Sequence, residues 1–118
     1  MGTHRKHATA KSRKPVKIPP FNPKLGKPRR ITSITGKVVH FVVEDQIARP
    51  QTGYPRKMIV LQKIRFTEDG RIELRVAYYM VGEKPGARGK WVWAQYAPLI
   101  PQADFRWIIR EAKRRRWL

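Results

Sequence analysis

Two runs, MIVLQKIRF (residues 58–66) and RIELRVAYYMV (residues 71–81), joined by TEDG (residues 67–70), decide the fold class. Both are rich in β-branched and aromatic residues, which suit a pleated, half-buried surface. The acidic link ends in Gly70, a residue able to take the left-handed position of a short hairpin loop. A three-residue loop, Glu68-Asp69-Gly70, would set Thr67 opposite Arg71, Phe66 opposite Ile72, Ile64 opposite Leu74, Gln62 opposite Val76 and Val60 opposite Tyr78. Most large apolar residues then share one face. The other face pairs Arg65 with Glu73, Lys63 with Arg75 and Leu61 with Ala77, and a slip of one residue would mix the two faces.

Working outward, GKVVHFVV (residues 36–43) is a strand with two apolar faces, so it is expected to be packed on both sides. Residues 44–55, EDQIARPQTGYP, carry turn formers and read as a loop. GEKPGARG (residues 82–89) is a second loop, and KWVWAQYA (residues 90–97) a fourth strand, closed by Pro98 and Pro101. Pro101 suits the first turn of a helix, and Asp104 lies at its positive end. That helix is expected from Pro101 to Arg115. Phe105, Ile108, Ile109 and Ala112 form its apolar stripe, with Trp107 on the opposite side.

The chain has 118 residues, 27 Lys plus Arg against 8 Asp plus Glu, a formal net charge of +19, and no cysteine. This length suits one domain. Without Cys there is no disulfide framework and no thiolate metal site or nucleophile. No apolar run approaches a membrane span or a secretory signal, so no membrane partner is expected. Residues 1–30 hold ten of the cations, five prolines and no acid. Low hydrophobicity with high charge cannot offset ordering entropy, so this stretch reads as a flexible basic tail, with residues 31–118 as one ββββα domain. A tail serving only solubility and an organellar presequence are the other readings; the prolines argue against a transit helix. Residues 31–118 are basic in their own right, 17 cations against all 8 acids.

Such an excess calls for a polyanion, and nucleic acid is the commonest. Three places can supply phosphate contacts. These are the tail, the Gly-rich loop with Lys84, Arg88 and Lys90, and the helix end with Arg110, Lys113, Arg114, Arg115 and Arg116. Trp91 and Trp93 share one face of the fourth strand and Val92, Ala94 and Tyr96 the other. If the smaller face packs inward, the two Trp rings stand beside Lys63, Arg65, Arg75 and Tyr79, the combination that unpaired strands require. If not, they form the core against the helix. Trp107 among arginines points to an interface, unless an arginine covers its ring.

Catalysis finds no centre. His4 and His7 lie in the tail, and His40 reads as a structural histidine. No His/Asp/Glu set has metal-ligand spacing, so no metal and no cofactor are expected. The loop GEKPGARGK lacks the first Gly of a nucleotide-binding loop and carries Trp91 where Ser or Thr would bind magnesium.

The order of elements from Gly36 to Leu118 resembles the transcriptional positive-cofactor family, which binds single-stranded DNA. The run from Lys84 to Ile109 carries the likeness: a basic Gly-rich turn, a strand, a proline, then an aromatic-bearing helix. The resemblance implies a homodimer and a single-stranded ligand. The Trp91–Trp93 pair departs from the family pattern, and no binding residue is carried over.

The expectation is therefore an α+β protein, a basic tail followed by a four-stranded antiparallel sheet and one C-terminal amphipathic helix. Its expected function is non-enzymatic binding of single-stranded DNA or RNA, in a cytoplasmic or nucleoid-associated setting. A structural ribonucleoprotein component, such as a ribosome-associated protein, and a protein-interaction module are the alternatives.

Overall fold

The computed structural model describes residues 15–94 and 96–118. The expected flexibility of the tail over residues 1–14, with His4 and His7, lies outside these residues. Five strands form one antiparallel sheet in sequential order: β1 (Pro28–Thr32), β2 (Val38–Gln51), β3 (Tyr54–Phe66), β4 (Ile72–Val81) and β5 (Trp91–Ala94). One helix, α1 (Gln102–Arg114), follows. The α+β class and the C-terminal helix are as expected; the strand number is five, not four.

The extra strand is β1. It is short, basic and at the sheet edge, and it opens on a proline, where a missing donor costs no ladder bond. That composition conceals a strand whose pairing comes from β2 alone. The segment read as a loop over residues 44–55 is mostly strand. β2 runs on to Gln51, with a bulge at Glu44, and turns through Thr52 and Gly53 into β3.

The β3–β4 hairpin is present, but its register differs from expectation by one residue. Phe66 N–H donates to Arg71 O at 2.9 Å and Gly70 N–H to Phe66 O at 2.9 Å, so the loop has four residues, Thr67–Gly70. Gly70 takes the left-handed conformation, φ +73°. Gln62 now faces Arg75, Val60 faces Ala77 and Met58 faces Tyr79. The reason is that both faces of β3 are buried. Gathering apolar residues on one face selects a register only where the other face meets water.

On one face, Ile47, Ile59 and Leu61 pack against Ile108 and Ala112 of α1, flanked by Leu74, Ile100, Trp107 and Trp117. The opposite face buries Phe41, Val43 and Ile64, and beside them Met58, Val60 and Ala77 under Phe21, Tyr79, Trp91 and Trp93. The sheet curls about this second face, so that residues of both edge strands, β1 and β5, line one groove.

The helix is turned relative to its expected stripe. Asp104, Ile108 and Ala112 are its buried residues, while Phe105 is 46% exposed. Asp104 sets this rotation. Its carboxylate accepts from Arg49 Nε at 2.7 Å, Thr52 N–H at 2.9 Å and Thr52 Oγ1 at 2.7 Å, tying the first turn to the β2–β3 hairpin. Burial alone would raise the Asp104 pKa. The bonds from Thr52 and Arg49, with the Arg49 charge, outweigh it and hold the group below its usual range. At the other end Trp117 N–H returns to Ala112 O and Arg116 N–H to Lys113 O, the Schellman arrangement, with Arg116 at φ +63° in the place usually held by glycine. This brings Trp117 back onto the helix–sheet core.

Candidate nucleic-acid interface

Arg75 lies at the centre of the groove. It projects from the middle of β4 beside Gln62 of β3, because the register pairs the two residues. Its Nε–H donates to Gln62 Oε1 at 3.0 Å, and Gln62 Nε2 in turn donates to Gln46 Oε1 at 2.7 Å. The guanidinium carbon lies 5.1 Å from the ring centroid of Phe41 and 4.8 Å from that of Trp93, so the cation is held between two aromatic rings. Among the described residues its two Nη groups have no hydrogen-bond partner, and no carboxylate pairs with it. Burial lowers its pKa, and the nearby Arg29 charge lowers it further. It remains a cation, since guanidinium does not deprotonate in proteins.

Around Arg75 the groove is lined by Arg29, Arg30, Ile31, Phe41, Tyr79, Trp91 and Trp93, and has a volume of about 380 Å³. Tyr79 and Trp93 meet edge to face at 5.1 Å. β1 contributes Arg29 because its register sets that residue opposite Phe41. Trp91 and Trp93 therefore stand on the face opposite α1, not in the core beneath the helix.

Of the residues expected to bind nucleic acid, the groove unites Arg75, Tyr79, Trp91 and Trp93. Lys63 and Arg65 are not with them. The register correction moves both to the helix side of the sheet, where Arg65 Nε donates to Glu44 at 2.9 Å. Arg29, Arg30 and Phe41 join instead; the first two fall within the tail expected to contact phosphate, but their place in an edge strand of this groove, and that of Phe41, are not legible in the sequence. Only the curl of the sheet brings them opposite β5. His40, read as a structural histidine, is exposed and pairs with Arg30.

Lys84, Arg88 and Lys90 lie in the β4–β5 loop, beside the Trp91 end of the groove. The loop is folded on itself. Gly82 N–H donates to Lys90 O at 2.8 Å and Gly89 N–H to Gly82 O at 3.0 Å. A Cβ on Gly82 would stand 2.3 Å from Ala87 O, so the closure requires glycine there.

Arg110, Lys113, Arg114, Arg115 and Arg116 lie on the helix, across the sheet from the groove. Two of them are engaged within the protein. Glu111 accepts from both Arg114 and Arg115, which hold its carboxyl down at about 2. Arg115 also reaches Gln46 O at 3.2 Å and lies over Trp117. Trp107, expected on the outer side of the helix, is half-buried in the helix–sheet cluster, with Arg49 stacked 4.9 Å from its centroid.

Among the described residues no three His, Asp or Glu side chains are placed to share a metal ion, and no helix is long and apolar enough to cross a membrane. Comparisons with protein-family models, curated proteins and solved structures give no match.

Proposed function

We propose that this protein binds single-stranded nucleic acid in the groove between β1 and β5. The observation that carries this reading is Arg75, a part-buried cation stacked between Phe41 and Trp93, with its Nη donors unpartnered and no acid beside it among the described residues. A cation kept in that state is matched by an anion from outside, and the planar guanidinium fork fits a phosphate. Arg29 adds a second charge from β1. Lys84 and Lys90 continue the cationic track beyond Trp91. Tyr79, Trp91 and Trp93 offer rings on which bases stack, a use open only to bases not already stacked in a duplex. Sequence preference is weak in such a site, because every base has a stacking face.

A fluorescent oligothymidylate titrated at several salt concentrations tests this. The expected result is tight binding that falls steeply with salt and exceeds binding to a duplex of equal length. Micromolar binding at low salt, or no preference for the single strand, overturns it.

The cations of α1 favour a second reading, a structural component of a ribonucleoprotein particle. Arg110 and Lys113 lie across the sheet from the groove, and a protein embedded in RNA meets phosphates on both sides. Co-sedimentation with ribosomes through a gradient separates the two readings.

A further inference from the structure

The groove is partly occupied by the chain itself. Residues 16–27 have no regular secondary structure, yet they cross the end of the groove formed by Tyr79 and Trp91. Phe21 meets Tyr79 edge to face at 5.2 Å and Trp91 at 5.5 Å with the rings nearly perpendicular. The Trp91 indole N–H donates to Pro19 O at 3.0 Å. Val16 lies against Gly89, and Gly26 N–H donates to Val43 O at 2.9 Å just before β1 begins.

We propose that this strap is a displaceable occupant of the site, with Phe21 on the Tyr79–Trp91 platform where a base of a bound strand would stack. The proposal rests on the single-strand reading of the groove and adds to it a competition built into the chain. The attachments are of a kind that can exchange. Between Val16 and Gly26 the strap is held by two backbone acceptors, Pro19 O and Lys24 O, the second taking a bond from Arg29 Nη2 at 2.9 Å, and by one aromatic side chain. A ligand base offers a flat π-face of comparable size, and its oxygen acceptors can replace Pro19 O on the indole N–H. At the Arg75 end of the groove the strap touches Arg29, whose Nη2 donates to Lys24 O, while Arg75 itself stacks between Phe41 and Trp93. A strand confined to that end binds with the strap in place, whereas a strand long enough to reach Trp91 must lift it. Lys17, Lys24 and Lys27 travel with the strap and remain available to the phosphates.

The test compares the full chain with Phe21→Ala and Phe21→Leu, which leave every charge unchanged, using thymidylate tetramers and dodecamers. Removing the competing ring should tighten dodecamer binding by about fivefold to a hundredfold, from two aromatic contacts of the usual strength. Tetramer binding should change less than twofold, and Phe21→Leu should fall between Ala and the parent. Equal dodecamer affinity in all three proteins refutes the strap as competitor and leaves the groove reading standing. Weaker binding by Phe21→Ala also refutes it, because Phe21 is then part of the ligand site. If the parent binds neither oligonucleotide, the groove reading falls and the strap proposal falls with it.

Discussion

Arg75→Met bears most directly on the proposed site, because Met keeps an unbranched side chain and removes only the cation. Two opposing effects act on stability. The substitution forfeits two cation–π contacts, at about 0.5–1 kcal/mol each, and leaves the buried Gln62 Oε1 without its donor, a cost of about 1–3 kcal/mol. Against these, it removes a part-buried charge that lies near Arg29 and has no acid beside it among the described residues. The net loss should stay within about 1–3 kcal/mol, and the protein should still melt cooperatively. Binding suffers more. Losing a charge-assisted pair with phosphate is worth about 1.5–3 kcal/mol, or roughly tenfold to a hundredfold in affinity. With one phosphate contact gone, the slope of log K against log salt should become shallower by about 0.7. Fluorescence anisotropy at four or more salt concentrations reads both quantities. Arg75→Lys is the informative partner: it should keep the slope, yet lose part of the affinity, because an ammonium cannot present the guanidinium fork. If Arg75→Met binds with the parent's affinity and slope while remaining folded, the groove is not the phosphate site.

Other substitutions separate binding from folding. Trp93→Ala should weaken oligonucleotide binding by about 1–3 kcal/mol, while Trp107→Ala should lower the melting temperature and leave affinity unchanged; the reverse pattern would place the ligand on the helix side. Asp104→Ala removes a buried carboxylate with three hydrogen bonds and strands Arg49, so urea denaturation should show a loss of about 3–5 kcal/mol. Glu111 has a pKa near 2 in the folded chain against an ordinary 4.5, so its stabilising effect is present above pH 4.5 and lost as pH falls toward 2. Thermal melts should accordingly show a smaller drop between pH 5 and pH 2.5 for Glu111→Gln than for the parent, and an unchanged drop would remove Glu111 from the acid response. Arg116→Gly relieves a left-handed backbone at the helix end and should raise stability by about 1 kcal/mol; no gain in chemical denaturation would show that the Arg side chain compensates.

What the chain's own pattern determined is local. Strand-forming runs around Val60 and Val76, the turn at Gly70, the helix after Pro101 and the basic balance of residues 31–118 each follow from neighbouring residues. Propensity, proline and charge act within a few positions. Arg75, Tyr79, Trp91 and Trp93 could be singled out in the same way, because β4 carries a cation and tyrosines and β5 sets two Trp residues on one face. The tertiary structure decided which of them meet. Register depended on burial of both sheet faces, one by α1 and one by the curl of the sheet with Trp91, Trp93 and Phe21, and neither cover is visible in the two strands it covers. That choice moved Lys63 and Arg65 away from Arg75 and brought Gln62 to it. The rotation of α1 depended on Asp104 reaching Arg49 and Thr52, more than fifty residues earlier, and it turned Trp107 inward and Phe105 outward. The curl of the sheet then faced β1 toward β5 and supplied Arg29 and Phe41 from segments that read as tail and core. Side-chain identity selects what a residue can bind; only packing over long sequence distances selects which residues face the same ligand.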